Sequence, residues 1–221
     1  MSCLQLNGIG KGHGGIYKSI DINGVYQLDE QVQCESFKAQ GIIRADEILV
    51  KDSFDLDGIC KSQLLKAKRV NFTGIFKNSH TLNCEKLVGS GCLVAKGVIK
   101  AKDIQLTGKV KVQGSMESDS LQLNLTDKSF FTELSAENVK IRKEVNHQVR
   151  LSLTPRRKDC PLIKGELVEG EDVYLDYCKI NYVYGDRIEI GPHCDIEEVE
   201  FQESLNIHPT AKVKKQIQRE V

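Results

Sequence analysis

The residues best suited to chemistry lie near the C-terminal end of the chain: His193, Cys194 and Asp195 in a row, with His208 further on. A cysteine nucleophile needs a base within hydrogen-bond reach and a third group to orient that base, so this run is where thiol-based acyl transfer would be sought. The surrounding pattern favours a different role. Cys178 stands sixteen residues before Cys194 and Ile196 two residues after it, which is the pattern of an inward-facing structural thiol. The five histidines, at 13, 80, 147, 193 and 208, show no H-E-x-x-H spacing. The eight cysteines contain no C-x-x-C and read as reduced thiols; Cys178 and Cys194, one period apart, are the pair that neighbouring strands could bring together. Carboxylates are spread along the chain and form no isolated catalytic pair. The glycines at 8, 10, 12, 14 and 15, with Lys11 and His13 among them, lack the strand-then-helix context of a phosphate-binding loop. No catalytic, cofactor-binding or metal-ligating residue is therefore assigned, and no cofactor is expected.

The elements that would position these residues are more informative. An apolar-polar-apolar triplet recurs about every seventeen residues: Ile20-Asp21-Ile22, Phe37-Lys38-Ala39, Phe54-Asp55-Leu56, Val70-Asn71-Phe72, and onward through Ile104-Gln105-Leu106 and Leu121-Gln122-Leu123 to Val139-Lys140-Ile141. It returns at Val173-Tyr174-Leu175, Ile188-Glu189-Ile190 and Leu205-Asn206-Ile207, and the gap from Val139 to Val173 amounts to two periods. Each period divides into three short strands with two inward positions apiece, because inward and outward residues alternate as in a half-buried strand. The second strand supplies Tyr26 and Leu28, Ile43 and Ala45, Cys60 and Ser62; the third supplies Val32 and Cys34, Ile48 and Val50, Leu65 and Ala67. A glycine closes the first strand in six consecutive periods, from Gly24 to Gly108, and marks a corner that needs a positive φ or has no room for a Cβ.

Such a coil is an all-β, single-stranded parallel β-helix of three short strands per turn. One turn cannot stand alone, so stability must come from stacking between neighbours. The organisation expected is a flexible glycine-rich leader over 1–15, regular turns over 16–141, an irregular insertion or projecting hairpin over 142–164, resumed turns over 165–213 and a charged tail over 214–221. That tail could add a short closing helical turn or fray.

Composition narrows the function. With 31 basic and 31 acidic residues the formal charge is zero, which argues against a nucleic-acid partner. Aromatic residues are 6% of the chain and tryptophan is absent, a poor basis for a stacking surface or an aromatic pocket. Met1 to Leu6 shows no secretory signal and no run approaches the ~18 apolar residues of a membrane span, so a soluble cytoplasmic protein is expected. What remains is shape: the two ends of such a coil carry open strand edges that invite another copy.

The triplet followed by a polar residue and glycine, as in Ile20-Asp21-Ile22-Asn23-Gly24 and Ile104-Gln105-Leu106-Thr107-Gly108, resembles the bactofilins, polymer-forming bacterial cytoskeletal proteins. The run Glu169 to Leu175, with Gly185-Asp186-Arg187-Ile188-Glu189-Ile190-Gly191-Pro192, looks like the longer Gram-positive members. The resemblance spans roughly 16–213. It implies a right-handed coil, nucleotide-independent filaments joined through terminal turns, and a cytoplasmic scaffold at the inner face of the membrane, working with envelope or motility proteins. The expectation is a non-enzymatic self-assembling scaffold whose partner is itself, with Ile20 and Ile22 near one contact end and Leu205, Ile207 and Val213 near the other. Two alternatives stand beside it. One is a left-handed hexapeptide-repeat acyltransferase-like enzyme, although its eighteen-residue turns carry one aliphatic residue per hexad. The other is a monomeric solenoid binding module using Tyr174, Tyr177, Tyr182 and Tyr184.

Overall fold

The computed structural model describes residues 2–144 and 163–219. They form eleven runs of extended chain: β1 (Cys3–Ile16), β2 (Ser19–Lys66), β3 (Arg69–Asn83), β4 (Lys86–Ala95), β5 (Val98–Lys100), β6 (Asp103–Leu125), β7 (Ser129–Lys143), β8 (Ile163–Leu175), β9 (Cys178–Ile190), β10 (Asp195–Ile207) and β11 (Lys212–Gln218). Each pairs in parallel with the next turn, and the whole is a β-solenoid of about twelve turns at roughly 17-residue spacing. The long runs are one chain winding around three faces.

Alternation explains the winding. The pairs Ile20 and Ile22, Phe37 and Ala39, Phe54 and Leu56 are all buried, as are their counterparts on the second and third faces. Each stacks on its equivalent one turn away; Val139, Val173, Ile188 and Leu205 form one such column. Volume is balanced between turns. The Phe37 and Phe54 ring centroids lie 5.2 Å apart, and Gly89 takes the inward position where a Cβ would strike the Phe72 ring. Ser118, an inward position on the third face, is only half-buried.

The corner glycines meet both conditions set for them. From Gly24 to Gly108 all six have positive φ, between 118° and 141°, and a Cβ on any of them would run into the carbonyl of the glycine stacked before it.

Three expectations need correction. Residues 1–15 are not a loose leader: Cys3–Ile16 forms a full rung on β2, with Leu4 on Ile20, Leu6 on Ile22 and Gly8 on Gly24. The glycines allow this because Tyr26 and Leu28 lean into the space their side chains would take; a Cβ on Gly12 would sit 2.8 Å from Leu28 Cδ2. A parallel ladder is made by backbone groups, which glycine has in full. The tail over 214–221 neither frays nor turns helical at its start, since Lys212–Gln218 pairs with Asp195–Phe201. Its lysines point outward to Glu197 and Glu198. Finally, the interruption is narrower than 142–164, since β7 runs to Lys143 and β8 begins at Ile163; β7 pairs directly with β8, so Val139 to Val173 is one turn that carries the insertion. The insertion sits within a single turn; residues 145–162 of the expected hairpin lie outside those described.

Candidate functional site

The end rungs differ from the rest in having one neighbour. Among the described residues the ladder begins at β1 and stops at β11, so β1 presents its outer backbone edge along its whole length. At the other end, β11 covers Asp195–Phe201 of β10, and Ser204–Ile207 has no outer strand partner among the described residues. The side chains follow the backbone. Leu4 and Leu6 at one end, and Leu205, Ile207 and Val213 at the other, pack on the core on one side and are only half-buried.

Of the five residues expected at the ends, Leu205, Ile207 and Val213 are placed there. Ile20 and Ile22 are not: they are 1% and 0% exposed beneath β1. Leu4 and Leu6 take their place, and the signal was present, since Leu4-Gln5-Leu6 repeats the triplet sixteen residues before Ile20. The C-terminal end is also more polar than expected, because Gln216 stacks on the buried Val199 and closes that column with an amide.

The His193-Cys194-Asp195 run does not converge on one point. Cys194 faces inward at 2% exposure, the His193 ring packs on Tyr177 with centroids 4.7 Å apart, and Asp195 pairs with Lys179 at 3.1 Å. Cys194 and Cys178 do meet. The Cys178 N–H donates to Cys194 Sγ at 3.5 Å, and the Cys178 thiol donates to the Asp176 carbonyl at 3.2 Å. Burial pushes the Cys178 thiol well up, while its contact with Cys194 lowers the latter. His208 bonds Thr210 instead of a thiol. Among the described residues no cluster of three or more His, Cys, Asp or Glu could hold a metal ion.

A groove of about 1270 Å³ runs along the corner between the third and first faces. Its floor is a row of small side chains, Cys34, Val50, Ala67, Cys84 and Ala101, and lysines and carboxylates form its rims. Burial pushes the Cys34 and Cys84 thiols up to about 12, so neither is a thiolate at neutral pH. Of the four tyrosines, Tyr182 is 46% exposed and faces Tyr184 across 6.3 Å, whereas Tyr174 and Tyr177 lie under Arg142 and Lys143.

No helix among the described residues is long and apolar enough to cross a membrane. No family model matches the chain, and no solved structure matches it. It is similar to the uncharacterized protein YhbE of Bacillus subtilis (strain 168), 28% identical over 104 residues, a stretch that is 47% of this chain and 42% of that protein.

Proposed function

We propose that this chain is a non-enzymatic, self-assembling scaffold of the bactofilin type, whose copies join end to end without nucleotide in the cytoplasm, at the inner face of the membrane. The observation that carries this reading is the pair of open ends. An unpaired parallel edge is a template for another strand, and each end sets half-buried aliphatic residues beside that edge: Leu4 and Leu6 on β1, Leu205 and Ile207 on β10. Stacking a further rung there would continue columns that already run through the molecule. The buried Cys34 and Cys84 thiols, which burial keeps protonated, and the divergent His193-Cys194-Asp195 run support a structural role over acyl transfer.

Electron microscopy of the purified protein without nucleotide tests the proposal. Filaments or end-joined rods are expected, and Leu205→Arg should shorten or abolish them by placing a charge on the contact. Uniform monomers over a range of salt and protein concentration would overturn it.

A further inference from the structure

Each corner glycine is followed by an outward residue, and over six consecutive rungs that residue is apolar: Ile9, Val25, Ile42, Ile59, Ile75 and Cys92. Ile9 stacks on Val25, and Ile75 sits between Ile59 and Cys92. The glycines before them stack throughout, with Gly24, Gly41 and Gly58 each set against the one before. The result is a ridge on the outside of the coil, roughly 24 Å long at ~4.8 Å per rung. Ile9 is 85% exposed and Val25 41%, and the other four are half-buried. Contiguous apolar surface of this kind marks a contact site.

Two residues further along each rung runs a second outward column, Lys11, Gln27, Arg44, Lys61, Lys77, Val94 and Lys111. Its five cations are exposed. Elsewhere charges pair from rung to rung, as Arg69 does with Asp52, Lys86 with Asp103 and Lys100 with Glu117. None of the five takes part in an ion pair among the described residues, although the chain as a whole has a formal charge of zero. The face's carboxylates, Asp29 and Asp46, lie one column further from the ridge and accept from Gln27 and Gln63. A groove of about 460 Å³ opens among Arg44, Lys61 and Lys77, and its lining includes Asn78, which is 3% exposed and has no partner for its Oδ1.

We propose that the ridge and the cationic column together form a docking face for an anionic lipid bilayer. The aliphatic side chains would enter the boundary between headgroups and acyl chains while the cations meet lipid phosphates. Neither signal alone holds a protein on a membrane firmly, but an apolar edge and a basic patch together do. A nucleic acid would use the cations and leave the aliphatic ridge idle; of the rings on this face Tyr26 and Phe76 are buried, and the exposed Phe130 stands one rung past Lys111, beyond the end of the ridge. A second copy would have to bring two convex ridges together, which buries little area.

Co-sedimentation with vesicles tests this. The chain should bind vesicles containing phosphatidylglycerol, not pure phosphatidylcholine, and high salt should weaken the binding. Combining Arg44→Glu, Lys61→Glu and Lys77→Glu should weaken it by about 100-fold or more. Combining Ile42→Ser, Ile59→Ser and Ile75→Ser should weaken it roughly tenfold with the cations intact. All six side chains point outward, and matching thermal melts would establish that the variants fold. Equal binding to both vesicle types, wild-type binding by the charge variant, or binding to duplex DNA with none to vesicles would each overturn the proposal. So would a ridge variant that lowers the oligomeric mass and leaves vesicle binding unchanged. This docking face rests on the membrane placement proposed above, and vesicle binding is scored separately from filament formation, so the docking face can fail while end-to-end assembly stands.

Discussion

At the scale of single residues, the corner glycines are the strictest positions. Gly58 has a φ of 141°, and a Cβ on it would lie 2.1 Å from the carbonyl oxygen of Gly41. Gly58→Ala therefore meets two penalties, a backbone conformation that L-residues avoid and an overlap with main chain that no rotamer can relieve. The backbone strain alone is worth about 1–3 kcal/mol. A lower midpoint in thermal or urea unfolding is expected. Gly10→Ala, whose Cβ would lie 3.1 Å from the movable Tyr26 ring at an end rung, should cost less. Equal melts for the two variants would show that the corner is not constrained as described. This column was legible in the sequence because glycine recurred at one phase of the repeat over six periods. The ridge beside it was not. Alternation assigns those residues to the outside, where the hydrophobic pattern alone gives no reason to look for aliphatic side chains.

At the scale of elements, the corner between the first and second faces changes character in the C-terminal turns. Tyr177 and His193, with φ of 53° and 55°, now turn the chain, and Lys143 Nζ, Tyr177 and His193 stack along the corner. Asp176 is drawn in with them: its Oδ1 is buried without a partner, and burial raises its pKa despite a hydrogen bond from the Lys143 backbone and the nearby cations. A carboxyl whose folded pKa lies above its unfolded value contributes stability fully below the unfolded pKa and loses it as pH rises through the folded one. Ionised Asp176 thus opposes folding at neutral pH. Asp176→Asn should raise the thermal midpoint at pH 7, and the difference from wild type should vanish in acid below the usual carboxylate range. A midpoint lowered at pH 7 would mean that the charge is held by the Lys143 and Arg142 cations after all. The inward columns of these turns were readable from alternation, since Val173, Leu175, Ile188 and Ile190 keep the two-residue spacing. The end rungs were harder to read because each lacks the residue type that signals a strand. β1 has glycine at inward positions 10 and 12, and β11 has Gln216 where the two turns before it have Val183 and Val199.

At the scale of the whole molecule, the parallel ladder is continuous across the insertion. Val139 and Val173 stack directly, so the two-period gap between them is a coincidence of insertion length and not an extra turn. Direct pairing predicts that the insertion can be removed. The corner one turn later needs two residues, Asp176 and Tyr177, between the inward Leu175 and Cys178. Arg142 and Lys143 follow Ile141, which stacks on Leu175, and Ile163 stacks on Cys178. Deleting residues 144–162 would thus leave Ile141-Arg142-Lys143-Ile163, a corner of the same length in the same register. In a stacked architecture each turn depends on its neighbours, so a break in the ladder would split unfolding into two transitions and a continuous ladder would not. The deleted protein should keep the circular dichroism of a β-solenoid and melt in a single transition close to that of the full chain. Two separated transitions, or loss of the strand signal, would mean that the turns before and after the insertion do not form one coil.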